Sequence, residues 1–149
     1  MGGSLNYEGK DLTTLSNGSS DSSPLRRLYI SKSDDIIYTG VKNFFAAANK
    51  ILWTDPNPDS YIRKTVGIQA LFDLVRVLMT EMVSQKDFRV GRFEERLEPA
   101  RRLDFADRFF QTSGTGRQRI RNCLELCLRF KTLADIGSDL EDYRRLCNL

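Results

Sequence analysis

The sequence of 149 residues contains no histidine. Histidine is the side chain whose unperturbed pKa lies closest to neutral pH, and it is the usual base that activates a serine or cysteine nucleophile. The carboxylates are spread along predicted helix surfaces beside arginines, where solvated ion pairs are the ordinary outcome. We therefore predict that the chain is not an enzyme and that it has no catalytic residues.

Cysteine is scarce as well, since Cys123, Cys127 and Cys147 are the only three. Cys123 and Cys127 lie four residues apart on one side of a predicted helix, but a zinc site would have no histidine to complete its four ligands. Buried thiols in a reducing cytosol are the simpler interpretation. We expect no metal site and no cofactor.

Long apolar runs are missing too, because no stretch reaches the roughly 18 residues that a membrane-spanning helix needs. The N-terminus lacks the basic and apolar regions of a signal peptide. The apolar fraction of 40% and the charged fraction of 29% are ordinary for a soluble protein. These features predict a cytoplasmic protein that makes no membrane contact.

The net charge of +3 neither requires nor excludes a nucleic-acid partner. The segment from Lys86 to Lys131 is more basic, with 12 lysines and arginines against 7 aspartates and glutamates. Most of these cations are arginines, which suit two-pronged contacts with phosphate. The alternative interpretation is a solvated helical surface that carries its own salt bridges.

The first 32 residues are rich in glycine, serine, asparagine and aspartate, and we expect residues 1–32 to form a flexible, irregular segment. Residues 33–149 carry helical periodicity and are expected to form one helical domain. The predicted fold class is all-α, a single-domain bundle of about four to six helices. Its later helices are expected within residues 87–111, over residues 117–133 and from Ser138 onward.

The longest periodic stretch runs from Ser60 to Met82 and predicts the central helix of the core. A preceding helix is predicted from Ser33 to Trp53, and Pro56 and Pro58 prevent it from continuing. The short connection between them favours an antiparallel pair packed as neighbours. The apolar positions of the central helix are Ile68, Leu71, Phe72, Val75, Leu78, Met79 and Met82.

A glycine-rich loop precedes the helix predicted over residues 117–133. Backbone N–H groups at a helix start are free to bind anions, and glycines let an oxygen ligand approach them. Arg117 and Arg121 lie four residues apart and project from one face of the helix. We predict a phosphate- or nucleic-acid-binding site formed by Ser113, Gly114, Thr115, Gly116, Arg117 and Arg121.

Two observations limit this prediction. The loop lacks the Gly-Lys-Ser/Thr ending of a Walker loop and does not follow an apolar strand. Basic residues near a helix start are unfavourable for the helix dipole, so they need either a ligand or acidic neighbours such as Asp104 and Asp107. A glycine-rich connection whose arginines make intramolecular ion pairs is therefore the alternative.

Three segments together resemble the C-terminal helical part of DGQHR-domain proteins. They are residues 37–53 with an aromatic pair, residues 60–74 with a Lys-Thr-x-Gly-Ile-x-Ala-Leu step, and residues 103–122 with Asp-Phe, Phe-Phe and a Ser-Gly-x-Gly-Arg loop. The resemblance spans roughly residues 36–128. The Asp-Gly-Gln-His-Arg motif is absent because the chain has no histidine, so no functional residue of that motif carries over.

The resemblance implies a helical accessory region of a bacterial or phage protein linked to DNA modification or its regulation. DNA is the partner that this expectation names. The alternative is a helical module that docks a protein partner or a second copy of itself and makes no nucleic-acid contact. Salt distinguishes the two, because phosphate contacts weaken steeply as salt rises and apolar docking does not.

Overall fold

A computed structural model describes residues 34–54, 56–111 and 114–149. Within these ranges the chain forms five α-helices, four short 3-10 segments and no strand. The prediction of an all-α, single-domain bundle is confirmed. The expectation for residues 1–32 falls outside the described residues.

The first two helices are the longest. Helix α1 spans Asp34–Ile51, and acidic residues in its first turn with Lys50 in its last complement the helix dipole. Helix α2 spans Thr65–Gln85. It begins later than the sequence predicts, because Tyr61–Arg63 form a 3-10 turn and Lys64 has an extended backbone.

The remaining helices are shorter and are separated by 3-10 turns. Helix α3 spans Val90–Leu97, α4 spans Gly116–Cys127 and α5 spans Leu140–Cys147. The intervening 3-10 segments are Glu98–Ala100, Arg108–Gln111 and Leu133–Asp135.

Helix α4 ends earlier than its predicted limit near residue 133. Arg129 follows the C-cap with a left-handed backbone at φ 63°. Its N–H donates to the Leu126 carbonyl at 3.1 Å, and the Phe130 N–H donates to the Glu125 carbonyl at 2.8 Å. This is the Schellman arrangement, in which glycine is the usual left-handed residue. An arginine at that position carries no sequence signal for a helix end.

Helices α1 and α2 run antiparallel. Gly40 of α1 lies against Met79 of α2, whereas Phe45, further along α1, lies against Phe72, which is earlier on α2. More extensive packing joins partners distant in sequence, α1 with α3 and α2 with α4. Helix α2 is therefore covered on two sides and forms the centre of the bundle.

The core contains most of the apolar stripe predicted for α2. Ile68 is only partly buried, and half of the Phe72 side chain is exposed whereas Leu71 is fully buried. Successive residues of a helix are rotated by about 100°, and the buried face of α2 is formed by the pairs Ala70–Leu71, Leu74–Val75 and Leu78–Met79, so Phe72 lies beyond the edge of this face. The fully buried residues of α2 include Ala70, Leu71, Leu74, Leu78, Met79 and Met82.

None of the helices in the described ranges combines the length and apolar character that crossing a membrane requires.

Candidate anion-binding site

The glycine-rich loop reaches α4 with its two glycines in different environments. Gly114 is exposed and has a left-handed backbone at φ 83°. Gly116 is buried, and a Cβ there would lie 2.9 Å from the Phe110 carbonyl oxygen. Gly116 thus permits close packing of the helix start on the preceding 3-10 turn. Thr115 is the exposed N-cap residue, and Ser113 falls outside the described residues.

Arg117, in the first turn of α4, makes a two-pronged ion pair with Asp73 of α2. Its Nε donates to Oδ2 at 2.8 Å and its Nη2 donates to Oδ1 at 2.7 Å. The Arg117 side chain is 51% exposed, while that of Asp73 is only 12% exposed. Neither of these hydrogen bonds uses the Nη1 group of Arg117. The guanidinium is held in one orientation and still faces solvent.

The acidic neighbours suggested by the sequence have other roles. Asp107 accepts hydrogen bonds from Arg145 of α5, the shorter at 2.8 Å. The Asp104 carboxylate accepts from the Ala106 backbone N–H at 3.0 Å. The partner of Arg117 therefore comes from α2, a helix that the loop prediction did not consider.

Arg121 projects from the same side of α4 as Arg117 and pairs along its own helix. Its Nε donates to Oε1 of Glu125 at 3.2 Å. The Lys131 ammonium lies 2.8 Å from the other oxygen of this buried carboxylate. Arg119 takes a separate direction, where it donates to the Phe109 carbonyl at 2.9 Å. Arg117 and Arg121 thus lie one turn apart on α4 and pair with different carboxylates.

A third arginine joins them from α2. The pKa of Asp73 is lowered first by the hydrogen bonds from Arg117 and further by the positive charges of Arg121 and Arg76. Arg76 is exposed. We refer to Arg76, Arg117 and Arg121 around Asp73 as the Asp73 arginine cluster. Arg117 is the one arginine bonded to Asp73 in the described residues, and Arg121 and Arg76 lie near enough to act on its carboxylate electrostatically, so the cluster retains a positive charge.

Sequence reasoning missed Asp73 and Arg76. They lie three residues apart on α2, a spacing that indicates an ordinary solvated helix surface. Their proximity to Arg117 arises from the packing of α2 on α4, which joins residues 44 positions apart. Asp73 and Arg76 of α2 and Arg117 and Arg121 of α4 therefore become one surface only in the folded chain.

A polar cleft of about 310 Å³ lies on the other side of α4. Its central residue is the buried Asn122, whose amide donates to the Tyr143 hydroxyl at 3.0 Å. The Asn122 carbonyl accepts from Gln118 at 2.9 Å and from Lys131 at 3.1 Å. These groups satisfy one another, and the network joins α4 to α5.

The three cysteines are reduced and lie where α4 meets α5. Hydrogen bonding with Cys123, together with burial, raises the pKa of the Cys147 thiol to about 12. The pKa of Cys127 is raised as well, mainly by its hydrogen bond with Cys147. Such thiols stay protonated and are weak nucleophiles near neutral pH. No group of three or more metal-ligating side chains occurs among the residues that the structure describes.

Comparisons of the chain with protein-family models, curated proteins and solved structures returned no match. The resemblance to DGQHR-domain proteins accordingly stays a prediction. In chemical terms, the Asp73 arginine cluster is a set of three solvent-accessible guanidinium groups, two of which, those of Arg117 and Arg121, are held by carboxylates. Such groups form charge-assisted, two-pronged hydrogen bonds with phosphate oxygens.

Proposed function

We propose that the chain is a non-catalytic helical accessory domain of a bacterial or phage DNA-modification or regulatory protein of the DGQHR type. In this proposal the Asp73 arginine cluster contacts DNA phosphates. The observation that carries it is the excess of cations around the Arg117–Asp73 pair: Arg121 and Arg76 also act electrostatically on Asp73, and Glu125, the partner of Arg121, is paired with Lys131 as well. The motif resemblance supports the same class of partner.

The pair between Arg117 and Asp73 is compatible with this function. Asp73 is mostly buried and holds one edge of the guanidinium, so Arg117 loses less side-chain entropy when a ligand binds. The exposed Gly114 and Thr115 lie beside Arg117 at the start of α4. They remain predicted contacts, together with Ser113 and Gly116. Backbone N–H groups there would add donors for a phosphate oxygen.

The test measures binding of a fluorescently labelled DNA duplex by anisotropy over a series of salt concentrations. Arg117→Ala/Arg121→Ala should weaken binding and reduce the slope of log Kd against log salt by about 0.9 for each phosphate that the variant no longer neutralises. Arg101→Ala/Arg145→Ala is the matched control. It removes the same charge from two exposed arginines that also pair with carboxylates outside the cluster.

Asp73→Asn separates a binding role from a structural one. If the cluster contacts phosphate, removing the negative charge of Asp73 should outweigh the lost orientation of Arg117 and tighten DNA binding. If the arginines serve stability alone, Asp73→Asn lowers the melting temperature and leaves DNA binding unchanged. Equal affinities and salt slopes for the two double-alanine variants would contradict the proposal.

A protein-interaction or dimerisation module is the second candidate, and exposed aromatic side chains favour it. Tyr38 is 68% exposed and Phe72 is 50% exposed. Exposed rings of this size are common anchors at protein interfaces. Association through them would persist at high salt, in contrast to phosphate binding.

A further inference from the structure

An aromatic row lies on the outer face of α1 and α2. The Phe72 and Phe45 rings are 5.0 Å apart, and the Phe45 and Trp53 rings stack at 6.3 Å with an interplanar angle of 30°. Phe72 is half exposed, and the other two side chains are partly buried. The row therefore presents ring surface to solvent that the core does not cover.

An open cleft of about 370 Å³ lies at the Trp53 end of this row, lined by Asn49, Trp53, Arg63 and Ile68. The Trp53 indole N–H donates to the Ile62 carbonyl at 3.4 Å, and Arg63 donates to the Trp53 carbonyl at 2.6 Å. The cleft thus combines apolar walls with an exposed carboxamide and a guanidinium. A carboxamide supplies one donor group and one acceptor, as the edge of a nucleobase requires.

Most of the charges around the row are positive, and Asp73, which directly follows Phe72, is paired with Arg117. The sequence contains no aspartate or glutamate from residue 36 to 54, nor from residue 60 to 72. Lys42 lies one turn before Phe45, and its ammonium is 6.0 Å from the Tyr38 ring centre. Arg76 lies one turn after Phe72 and belongs to the Asp73 arginine cluster. The aromatic row therefore begins beside the proposed phosphate contact and continues along a basic surface.

We propose that this face binds unpaired bases of single-stranded nucleic acid, with one base stacked on Phe72 and another in the cleft beside Trp53. The inference rests on the proposed function and specifies its ligand. Proteins that bind single strands combine a basic path for the backbone with aromatic rings on which bases stack. In a duplex the faces of the bases are covered by the neighbouring bases, so they are not available to stack on exposed aromatic rings. Charge complementarity also favours a polyanion over an uncharged protein partner.

The test compares a labelled single strand of mixed sequence with its duplex at equal salt. Phe72→Leu keeps an apolar side chain and removes the aromatic ring. Since stacking of one base on an aromatic side chain typically contributes roughly a 5- to 150-fold effect, single-strand binding should weaken by that order and duplex binding should not change. Leu140→Ala on α5 is the control, because it shortens another exposed apolar side chain. It should change neither single-strand binding nor duplex binding.

Tryptophan fluorescence gives a second readout, because Trp53 is the only tryptophan in the chain. Unlabelled single strand should quench its emission, and Asn49→Ala should reduce the quenching at a fixed strand concentration. Circular dichroism of each variant verifies that the fold is retained.

The outcomes separate this inference from the proposed function. Duplex binding that equals or exceeds single-strand binding, with no effect of Phe72→Leu, overturns the inference and leaves the phosphate contact intact. The inference is also overturned if Phe72→Leu lowers the affinity for the single strand and for the duplex equally. If neither nucleic acid binds, both proposals fail. Self-association that Phe72→Leu abolishes would then assign the face to a second copy of the chain.

Discussion

At the scale of single residues, Glu125 shows how a charge becomes part of the core. It is 4% exposed, and both of its carboxylate oxygens lie within 3.2 Å of a cation, Arg121 on one side and Lys131 on the other. A buried carboxylate requires such partners, because desolvation of an unpaired charge is costly. Lys131 also donates to Asn122, so the ion pair and the polar network share one donor.

Glu125→Gln should lower the free energy of unfolding by about 1–3 kcal/mol, since it replaces a charge-assisted contact and leaves two cations facing a neutral amide. Urea denaturation followed by circular dichroism measures this. Glu95→Gln is the control, because its side chain is 71% exposed and pairs only at the surface with Arg92. Equal urea midpoints for the two variants would show that burial of Glu125 does not matter.

At the scale of elements, Gly67 decides how α2 begins. A Cβ at this position would overlap the backbone of Tyr61 and Ile62, so the 3-10 turn can pack against the helix only where a side chain is missing. The Tyr61 N–H donates to the Phe105 carbonyl at 2.7 Å, which ties the same turn to the segment before α4. A glycine that weakens helix propensity is thereby required for tertiary packing.

Gly67→Ala should therefore destabilise the fold by about 1–3 kcal/mol or more, despite the higher helix propensity of alanine. Gly91, in the first turn of α3, has open space where a Cβ would lie. Gly91→Ala should be neutral or stabilising by up to about 1 kcal/mol. Melting temperatures of both variants test the pair of expectations. A stabilising Gly67→Ala would mean that the 3-10 turn can move away at little cost.

At the scale of the whole molecule, ion pairs between distant residues connect the bundle. Arg117 joins α4 to Asp73 on α2, and Arg145 joins α5 to Asp107 in the segment before α4. The pKa of each aspartate is lowered, mainly by the hydrogen bonds from its arginine. The folded state therefore binds these protons less readily than the unfolded state does.

This difference predicts an acid-sensitive fold. The contribution of the two aspartates is complete above their unfolded-state pKa of about 3.9 and is lost as pH falls through the lower folded-state pKa. Asp73→Asn/Asp107→Asn should be less stable than the parent at neutral pH, and the two stability curves should converge in acid. Glu141→Gln is the control, because it removes an exposed carboxylate that makes no ion pair in the described ranges. Its stability should depend on pH in the same way as that of the parent. If the free energies of unfolding of the parent and of the double variant changed in parallel with pH, the acid sensitivity would not come from Asp73 and Asp107.

The sequence by itself determined the helical class, the two long helices and the common face of Arg117 and Arg121. These features follow from local physics: the 3.6-residue period, the prolines in the segment between the two long helices, and spacing along one helix. Helix ends were less predictable where Arg129 adopts the left-handed backbone that glycine usually adopts after a helix. Comparable local signals do not exist for contacts between helices.

Only the tertiary structure decided which faces are covered and which charges meet. Phe72 belongs to the apolar stripe by its spacing but is half exposed, because α4 and the core cover the adjacent side of α2. Asp73 reaches Arg117 across 44 residues, and Gly116 faces the Phe110 carbonyl. Periodicity gives the direction of a side chain around its own helix axis. The neighbour in that direction is set by the packing of helices that are distant in sequence.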